Sequence, residues 1–272
     1  MKRGYVYVAN GEGYVEEAVR SARSLKKVQP DAKVCLLTKN EVSDKVFDIV
    51  QKPSFTMCLP IDKVCAIEAP FEEIIYLDTD TYVVSNISDI FELLENFDLA
   101  LLPALQRGWN YSLPGVPKVF SEFNTGVIAF RNTNKVKSFF HEWKSYHEEV
   151  QKDSDFPDRN ADQPAFRSVL FHSDLRVAPL PSEYHFRGHL PNYLMWDAKI
   201  IHCRGDLENI SNIVNKELGA RVYIPNFGIY GRYSGKRKVI RQFIQFLIAT
   251  LRHLVSSPYN SEKDRPNQWH LK

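Results

Sequence analysis

The sequence has little excess charge of either sign and lacks a long hydrophobic run. Its 272 residues include 35 Lys and Arg against 33 Asp and Glu, a formal net charge of +2. General nucleic-acid binders carry a clear basic excess, so we expect no nucleic-acid partner. The apolar part of the N-terminal stretch MKRGYVYVANGEGY is too short for the core of a signal peptide or for a membrane anchor. The sequence therefore predicts a cytoplasmic protein.

Cysteine is also scarce. The four cysteines, Cys35, Cys58, Cys65 and Cys203, include no C-x-x-C pair, so neither a zinc site nor a redox pair is indicated. Three of them lie in or beside apolar stretches, which is typical of buried, reduced thiols. We expect free cysteines in a protein of a reducing compartment.

Strand-like and helix-like patterns alternate through the chain. Strands are predicted at 5–9, 33–38, 73–77, 98–102, 127–130 and 199–202. Helices are predicted at 14–28, 43–50, 62–68, 88–96 with Ser88 as N-cap, 133–150, 161–170 and 207–218. This order indicates an α/β fold with a mostly parallel sheet covered by helices on both faces.

Two segments interrupt the alternation. The stretch 103–122, which holds three prolines and two glycines, is interpreted as a long functional loop. The segment 236–255 has a wide apolar stripe at helical spacing with basic residues at its head. Three interpretations of this helix remain open: packing on the main domain, contact with an anionic membrane surface, or a homodimer interface. We therefore divide the chain into a domain at 1–225 and an extension at 226–272.

The strongest chemical signal is the run EIIYLDTDTYVV, Glu73–Val84. In an extended chain, residues two apart point to the same side, about 6.5 to 7 Å apart. Asp78 and Asp80 can therefore converge on one divalent cation at the carboxyl end of a strand, where open α/β sheets bind ligands. The alternative is a polar turn in which the aspartates cap backbone groups. Burial between apolar segments counts against that alternative, because uncompensated carboxylates are costly there.

This strand followed by D-x-D resembles the defining motif of the GT-A-fold glycosyltransferases, in the form found in the glycogenin and bacterial galactosyltransferase branch. Three further motifs follow in the same order as in that branch. They are FNTG at 123–126, DQ at 162–163 and IIHCRG at 200–205. The resemblance covers roughly residues 3–205.

The resemblance implies a GT-A fold, a nucleotide-sugar donor with UDP as carrier, and a divalent cation, Mn²⁺ or Mg²⁺. It also implies roles for particular residues. The metal ligands are Asp78, Asp80 and His202; the reacting sugar faces Asp162 and Gln163; and the donor contacts are Val8, Ala9, Asn10, Tyr14, Lys63, Asp78, Thr79, Asp80, Asn124, Gly126 and Arg204.

Each assignment has a structural alternative. His202 fits a hydrogen-bonded residue at a strand end, Asp162 a helix N-cap before Pro164, Asn124 a turn, and Lys63 a solvated surface cation. The chain also departs from the branch. After His202 it reads Cys-Arg-Gly-Asp and lacks the lysine that commonly meets the diphosphate, so Arg204 is the candidate replacement.

The predicted reaction is transfer of a sugar to a hydroxyl of a sugar, lipid-linked or protein acceptor, with retained configuration if the closer resemblance holds. One alternative is a sugar-phosphate nucleotidyltransferase. Its basic, glycine-rich phosphate loop is missing, because 10–14 holds glycines but no Arg or Lys. The other alternative is a non-catalytic nucleotide- or sugar-binding protein on the same scaffold, which the intact Asp78, Asp80 and His202 disfavour.

Overall fold

A computed structural model of the chain describes residues 2–104, 113–153, 159–216, 219–225 and 228–231, together with positions 240, 244, 247, 248, 250 and 251. Most of the predicted helix at 236–255, and residues 105–112 of the predicted functional loop, lie outside the described residues.

Strands and helices alternate in the first half of the chain, as predicted. The strands are β1 Arg3–Val8, β2 Val34–Leu37, β3 Ile49–Gln51, β4 Glu73–Leu77, β5 Thr81–Val83, β6 Leu99–Pro103, β7 Phe123–Arg131, β8 Val177–Pro179, β9 Phe186–Arg187, β10 Asn192–Leu194, β11 Ile200–His202, β12 Arg221–Ile224 and β13 Gly228–Gly231. The α-helices are α1 Glu12–Val28, α2 Ile90–Leu93, α3 Asn134–Lys152, α4 Gln163–His172 and α5 Leu207–Val214. Two segments are 3₁₀ helices, Pro60–Glu68 and Ser182–Tyr184.

The main sheet has seven strands in the order β3-β2-β1-β4-β7-β6-β8. All neighbouring pairs are parallel except those that β7 makes with β4 and β6. Strands β1, β2 and β4 are nearly continuous apolar runs, as expected where both faces of a parallel sheet are covered. The predicted α/β fold class is therefore confirmed.

Each face of this sheet packs against its own hydrophobic cluster. One cluster joins the sheet to α3, α4 and the first 3₁₀ helix around the aromatic side chains of Phe130, Phe140, Trp143 and Phe166. The other joins the sheet to α1 and α2 and includes Leu25. A helix layer on either side leaves the carboxyl ends of β1 and β4 as an open edge.

One of the predicted helices is absent and others are shorter than predicted. Residues 43–50 form no helix, and β3 begins at Ile49. The carboxylates of this segment hydrogen-bond backbone amides instead, Asp44 that of Val46 and Asp48 that of Val34, and such bonds compete with helix formation. The helix predicted at 88–96 shortens to α2.

Ser88 does not cap α2. Its amide and hydroxyl both donate to Oδ1 of Asn86, at 2.8 and 2.7 Å, and the N-cap position is Asp89. The helix predicted at 207–218 likewise ends early, at Val214. By contrast, Thr133 caps α3 through its side chain, and the long helix predicted there is confirmed.

The late strand predicted at 199–202 exists as β11, but it belongs to a separate three-stranded sheet of order β5-β11-β9. In this sheet His202 pairs with Thr81 on one side and with Arg187 on the other. Because β5 follows Asp80 directly, the small sheet brings the end of β11 over the carboxyl end of β4.

In the part of the chain that the structure describes, no helix has the length and apolar character needed to cross a membrane.

Candidate active site

A cleft of about 220 Å³ opens at the carboxyl ends of β1 and β4. Its walls include nine of the predicted donor-site residues: Val8, Ala9, Asn10, Tyr14, Lys63, Asp78, Thr79, Asp80 and Arg204. A larger and more open groove, about 520 Å³, lies along α1 and contains none of the predicted site residues. Because the predicted site residues line the smaller cleft, we take it as the candidate active site.

A cluster of potential metal ligands lies at the floor of this cleft. One ligand atom from each of Asp78, Asp80 and His202 lies within 4.8 Å of the others. Nε2 of His202 is 3.1 Å from Oδ1 of Asp80 and 3.7 Å from Oδ2 of Asp78. Two carboxylates and an imidazole form a donor set that could hold a divalent cation. The polar-turn alternative does not by itself account for the position of His202 beside the two aspartates.

Gly126 makes this convergence possible. A Cβ atom built on Gly126 would lie 2.3 Å from Cε1 of His202 and 2.8 Å from Oδ2 of Asp78. Contacts that short are not tolerated, so only glycine lets the two side chains close over the backbone of β7. The absence of a side chain at this point thus allows His202 and Asp78 to lie close together.

A buried lysine connects the D-x-D strand to the DQ helix. Nζ of Lys63 lies 3.2 Å from Oδ1 of Asp78, 3.3 Å from Oδ2 of Asp162 and 3.2 Å from Oγ1 of Thr125. Lys63 is only 5% exposed, so the solvated alternative is wrong. Two carboxylates compensate its charge, as burial requires.

The electrostatics of this network favour the charged forms of Lys63 and Asp80 and the neutral form of Tyr76. Burial alone would lower the pKa of the Lys63 ammonium, but Asp162 and Asp78 raise it above its usual value. Burial alone would raise the pKa of Asp80, but the hydrogen bond and charge of His202 hold it well below its usual range. Burial and the Asp78 carboxylate raise the pKa of Tyr76, whose hydroxyl donates to Oδ1 of Asp78 at 2.6 Å.

Asp162 occupies the N-cap position of α4, yet its side chain makes no capping bond. The carboxylate turns inward instead and accepts a 2.7 Å hydrogen bond from Oγ1 of Thr125. Its backbone carbonyl accepts from Nε1 of Trp143 at 2.9 Å, which fixes the start of the helix. The capping alternative for Asp162 is therefore wrong, whereas Gln163 is half-buried at the first helical position.

Asn124 has the local role that its alternative described. Its Oδ1 accepts a 3.0 Å hydrogen bond from the amide of Gly126, and the side chain is buried. This bond holds the irregular part of β7 where the pairing with β6 shifts register. The contact of Asn124 with a sugar stays a prediction.

The far end of the cleft is organised by Asp62, which the sequence did not single out. Its carboxylate accepts hydrogen bonds from the amides of Met57 and Cys58, from the hydroxyl of Thr56 and from the side chain of Asn10. Asn10 therefore helps to tie the loop at 56–58 to the end of β1.

At the rim of the cleft, the guanidinium of Arg204 lies 5.9 Å from the centre of the Tyr14 ring and 3.5 Å from a carboxylate oxygen of Glu17. Glu17 also accepts a 2.8 Å hydrogen bond from Thr79. Both Tyr14 and Arg204 are exposed, so they are free to meet a ligand. The structure thus brings most predicted donor contacts to one cleft and places His202 beside the two aspartates that line it.

Four partners of these residues carried no assigned role in the sequence: Asp62, Tyr76, Thr125 and His185. Thr125 lies inside the FNTG motif, and Tyr76 precedes the D-x-D by two positions, so both had a nearby signal. Asp62 had no such signal, and neither had His185, whose Nε2 lies 2.6 Å from Nδ1 of His202.

Residues 72–202, a little under half of the chain, match the model of the nucleotide-diphospho-sugar transferase family. An active-site mutant of LgtC superposes with a TM-score of 0.56 at 16% identity, over 75% of this chain and 88% of that one. LgtC is described as a galactosyltransferase in a complex with donor and acceptor sugar analogues, with a TM-score of 0.55 and 16% identity over 74% of this chain and 87% of that one.

GlyE, a glycosyltransferase of Streptococcus pneumoniae TIGR4, has a TM-score of 0.51 at 15% identity, over 97% of this chain and 66% of that one. No curated protein matches this chain by sequence. At identities this low, the superpositions establish the fold. They agree with the family match and confirm the resemblance to the GT-A group.

Proposed function

We propose that this chain, a GT-A-fold glycosyltransferase by its fold and its match to the nucleotide-diphospho-sugar transferases, uses a divalent cation to transfer a sugar from a UDP-sugar to a hydroxyl acceptor. The observation that carries the proposal is the convergence of Asp78, Asp80 and His202 over Gly126 beside the cleft. A solvated acidic turn needs neither a third ligand nor a glycine at that point.

The proposed cation is Mn²⁺ or Mg²⁺, held by Asp78, Asp80 and His202. When bound, it would act as a Lewis acid that stabilises negative charge on the departing diphosphate. Arg204 at the rim is an exposed cation that lines the cleft, and its fork of donors suits phosphate oxygens.

Lys63 has a different proposed role from the one the resemblance implied. Because Asp78 and Asp162 already pair with its ammonium, Lys63 positions these two carboxylates rather than contacting the diphosphate. Asp162 and Gln163 then lie beside the reacting sugar at the start of α4, with Asn124 and Gly126 behind it. The resemblance to the glycogenin and bacterial galactosyltransferase branch is the basis for proposing that the transferred sugar retains its configuration.

The nucleotide is proposed to bind at the end of β1. Val8, Ala9, Asn10 and Tyr14 form that wall of the cleft, and Tyr14 offers an aromatic face for a base. Asp78 belongs to the metal cluster and also lines the cleft, which suits a contact with the ribose as well as with the cation.

The test is thermal stability against a panel of nucleoside diphosphates and nucleotide sugars, with Mn²⁺, with Mg²⁺ and with EDTA. A ligand that binds only the folded state raises the melting temperature by mass action. We expect UDP to raise it with Mn²⁺ but not with EDTA, and Asp80→Asn to remove the effect. If no nucleotide shifts the melting temperature, the chain is better described as a scaffold without a donor site.

Two alternatives are tested in the same assay series. Product formation from a sugar phosphate and a nucleoside triphosphate would indicate a nucleotidyltransferase. Binding of a nucleotide sugar without release of UDP, with any acceptor offered, would indicate a non-catalytic binding protein.

The acceptor is proposed to be a sugar, lipid-linked or protein hydroxyl reached from the cytoplasm, with the tail on an anionic membrane surface. The support is an exposed set of apolar side chains at helical spacing, Ile240, Ile244, Leu247, Ile248 and Leu251. The sequence around them adds basic residues, at 236–238 and 241. Apolar and basic residues together are typical of interfacial helices. A homodimer through the same residues is the competing proposal.

A further inference from the structure

His185 is a fully buried residue between the second 3₁₀ helix and β9, and it contacts the metal cluster through His202. Its Nε2 atom lies 2.6 Å from Nδ1 of His202. The other ring nitrogen of His202, Nε2, faces Asp78 and Asp80. One nitrogen of His202 therefore faces His185, and the other faces the two carboxylates.

The two imidazole rings lie edge to edge in nearly one plane. Their planes differ by 14°, and their centroids are 4.9 Å apart. The 4.9 Å separation equals the 2.6 Å distance between the two nitrogens plus the radius of each ring. The bond therefore runs along the line that joins the ring centres, which is the best direction for an imidazole N–H and an imidazole lone pair.

Only one proton fits between the rings. A cation on Nε2 of His202 requires a lone pair there, so Nδ1 of His202 must carry the ring's proton and His185 must accept it. His185 then keeps its own proton on Nδ1, and both rings remain neutral. Without a cation, Nε2–H of His202 can donate to Asp80 while Nε2–H of His185 donates to Nδ1 of His202. The pair holds two protons in either arrangement.

We propose that His185 is a positioning residue that holds His202 in the tautomer and ring plane needed to bind a divalent cation through Nε2. This inference rests on the proposed metal site and extends it beyond the ligands themselves. A hydrogen-bond acceptor on the second nitrogen of a ligating histidine fixes its orientation and raises its basicity. Here a neutral, buried histidine takes the place that a carboxylate or a backbone carbonyl commonly fills.

The decisive variants differ only in whether they keep that acceptor. His185→Gln places an amide oxygen or nitrogen near the position of Nε2, whereas His185→Leu has similar bulk and no acceptor. Mn²⁺ affinity is measured from the electron paramagnetic resonance signal of free Mn²⁺. We expect His185→Leu to weaken binding about 10- to 100-fold, as is typical for loss of an outer partner of a ligand, and His185→Gln to stay near the wild-type affinity.

Controls separate this inference from the proposed function. His147→Leu removes another fully buried imidazole, on α3 and outside the metal cluster, and should leave Mn²⁺ affinity unchanged. Asp80→Asn should abolish Mn²⁺ binding. If wild type binds no Mn²⁺, the metal site itself is wrong and the role of His185 is wrong with it. If wild type binds and Asp80→Asn does not, but His185→Leu binds normally, only the role of His185 is wrong.

A spectroscopic measurement on the unaltered protein decides the question if His185→Leu does not fold. Two-bond ¹H–¹⁵N spectra of the imidazole rings report which nitrogen carries the proton. With saturating Mg²⁺ and UDP, we expect His202 to be protonated on Nδ1 and His185 also on Nδ1. Protonation of His202 on Nε2 under these conditions would overturn the proposal.

Discussion

Gly126 shows how one missing side chain shapes the site. A Cβ atom there would lie 2.7 Å from Nδ1 of His202 and 2.8 Å from Oδ2 of Asp78, so Gly126→Ala must displace two proposed ligands. We expect the Mn²⁺-dependent stabilisation by UDP to require at least about tenfold more ligand, or ~1.4 kcal/mol. The matched control is Gly13→Ala in α1, where an added Cβ would meet nothing within 4 Å. Equal ligand response in both variants would contradict this account of Gly126.

Replacement of Asp162 by serine separates an effect on the start of α4 from an effect on the site. The Asp162 side chain makes no capping bond, and serine suits an N-cap position about as well as aspartate, so Asp162→Ser removes the carboxylate beside Lys63 without weakening a helix cap. We expect release of UDP from the nucleotide sugar to fall by at least about 100-fold, a loss of ~2.7 kcal/mol of transition-state stabilisation.

The melting temperature and the UDP response of Asp162→Ser are measured alongside its activity, because Lys63 keeps only Asp78 as a carboxylate partner. A folded Asp162→Ser protein with normal turnover would show that the carboxylate has no part in the reaction. Asp162→Asn, which keeps the side-chain shape, is the matched variant and should lose activity to a similar degree.

Individual elements are joined by side chains that the periodic pattern does not reveal. Asp48 lies just before β3 and binds Lys26 at the end of α1, Lys33 and the amide of Val34 at the start of β2. It connects a helix and two strands at the edge of the main sheet. The helix predicted at 43–50 is absent partly because this carboxylate is used there.

This junction predicts a pH-dependent contribution to stability. Burial alone would raise the pKa of Asp48, but hydrogen bonds from Lys26, Val34 and Lys33 lower it. A lowered folded-state pKa stabilises the protein above the unfolded value of about 3.9, and the effect is lost as pH falls through the folded-state pKa. Asp48→Asn should lower the melting temperature by about 2–4 °C at neutral pH, or ~1 kcal/mol, and less at acidic pH.

Thermal unfolding across this pH range is compared with that of Asp31→Asn. Asp31 is exposed and lies in the same connection between α1 and β2. We expect no change for Asp31→Asn at any pH. A deficit of Asp48→Asn that persists unchanged in acid would mean that shape, not charge, explains the loss.

At the scale of the whole molecule, truncation of the tail, residues 232–272, tests the three interpretations of the helix predicted at 236–255. Removal of residues 232–272 should leave the melting temperature and the UDP response nearly unchanged if the tail contacts a membrane or a second copy. Co-sedimentation with vesicles rich in phosphatidylserine should then be lost, while phosphatidylcholine vesicles bind neither form. Attraction of basic residues to anionic lipid also predicts that salt weakens the binding.

Each other outcome selects a different interpretation of the tail. A large loss of thermal stability on truncation would favour packing against the main domain. Binding of the full chain to no vesicle, with a dimer that becomes a monomer on truncation, would favour the homodimer.

Sequence alone determined the features that depend on neighbours along the chain. The apolar runs of β1, β2 and β4 predicted a parallel sheet, and the D-x-D after β4 predicted paired carboxylates at its edge. The ordered motifs predicted His202 as their partner and the GT-A fold as their setting. These signals survive in a single sequence because periodicity and short motifs are local.

Only the tertiary structure decided the contacts between distant segments. It placed β11 in a small sheet with β5, paired Lys63 with both Asp78 and Asp162, and set His185 behind His202. It also decided between the two interpretations of Asp162, whose carboxylate is a buried ion-pair partner and makes no capping bond. No local pattern specifies such pairs, because they form only after the chain has folded and brought residues separated by 15 to 121 positions into contact.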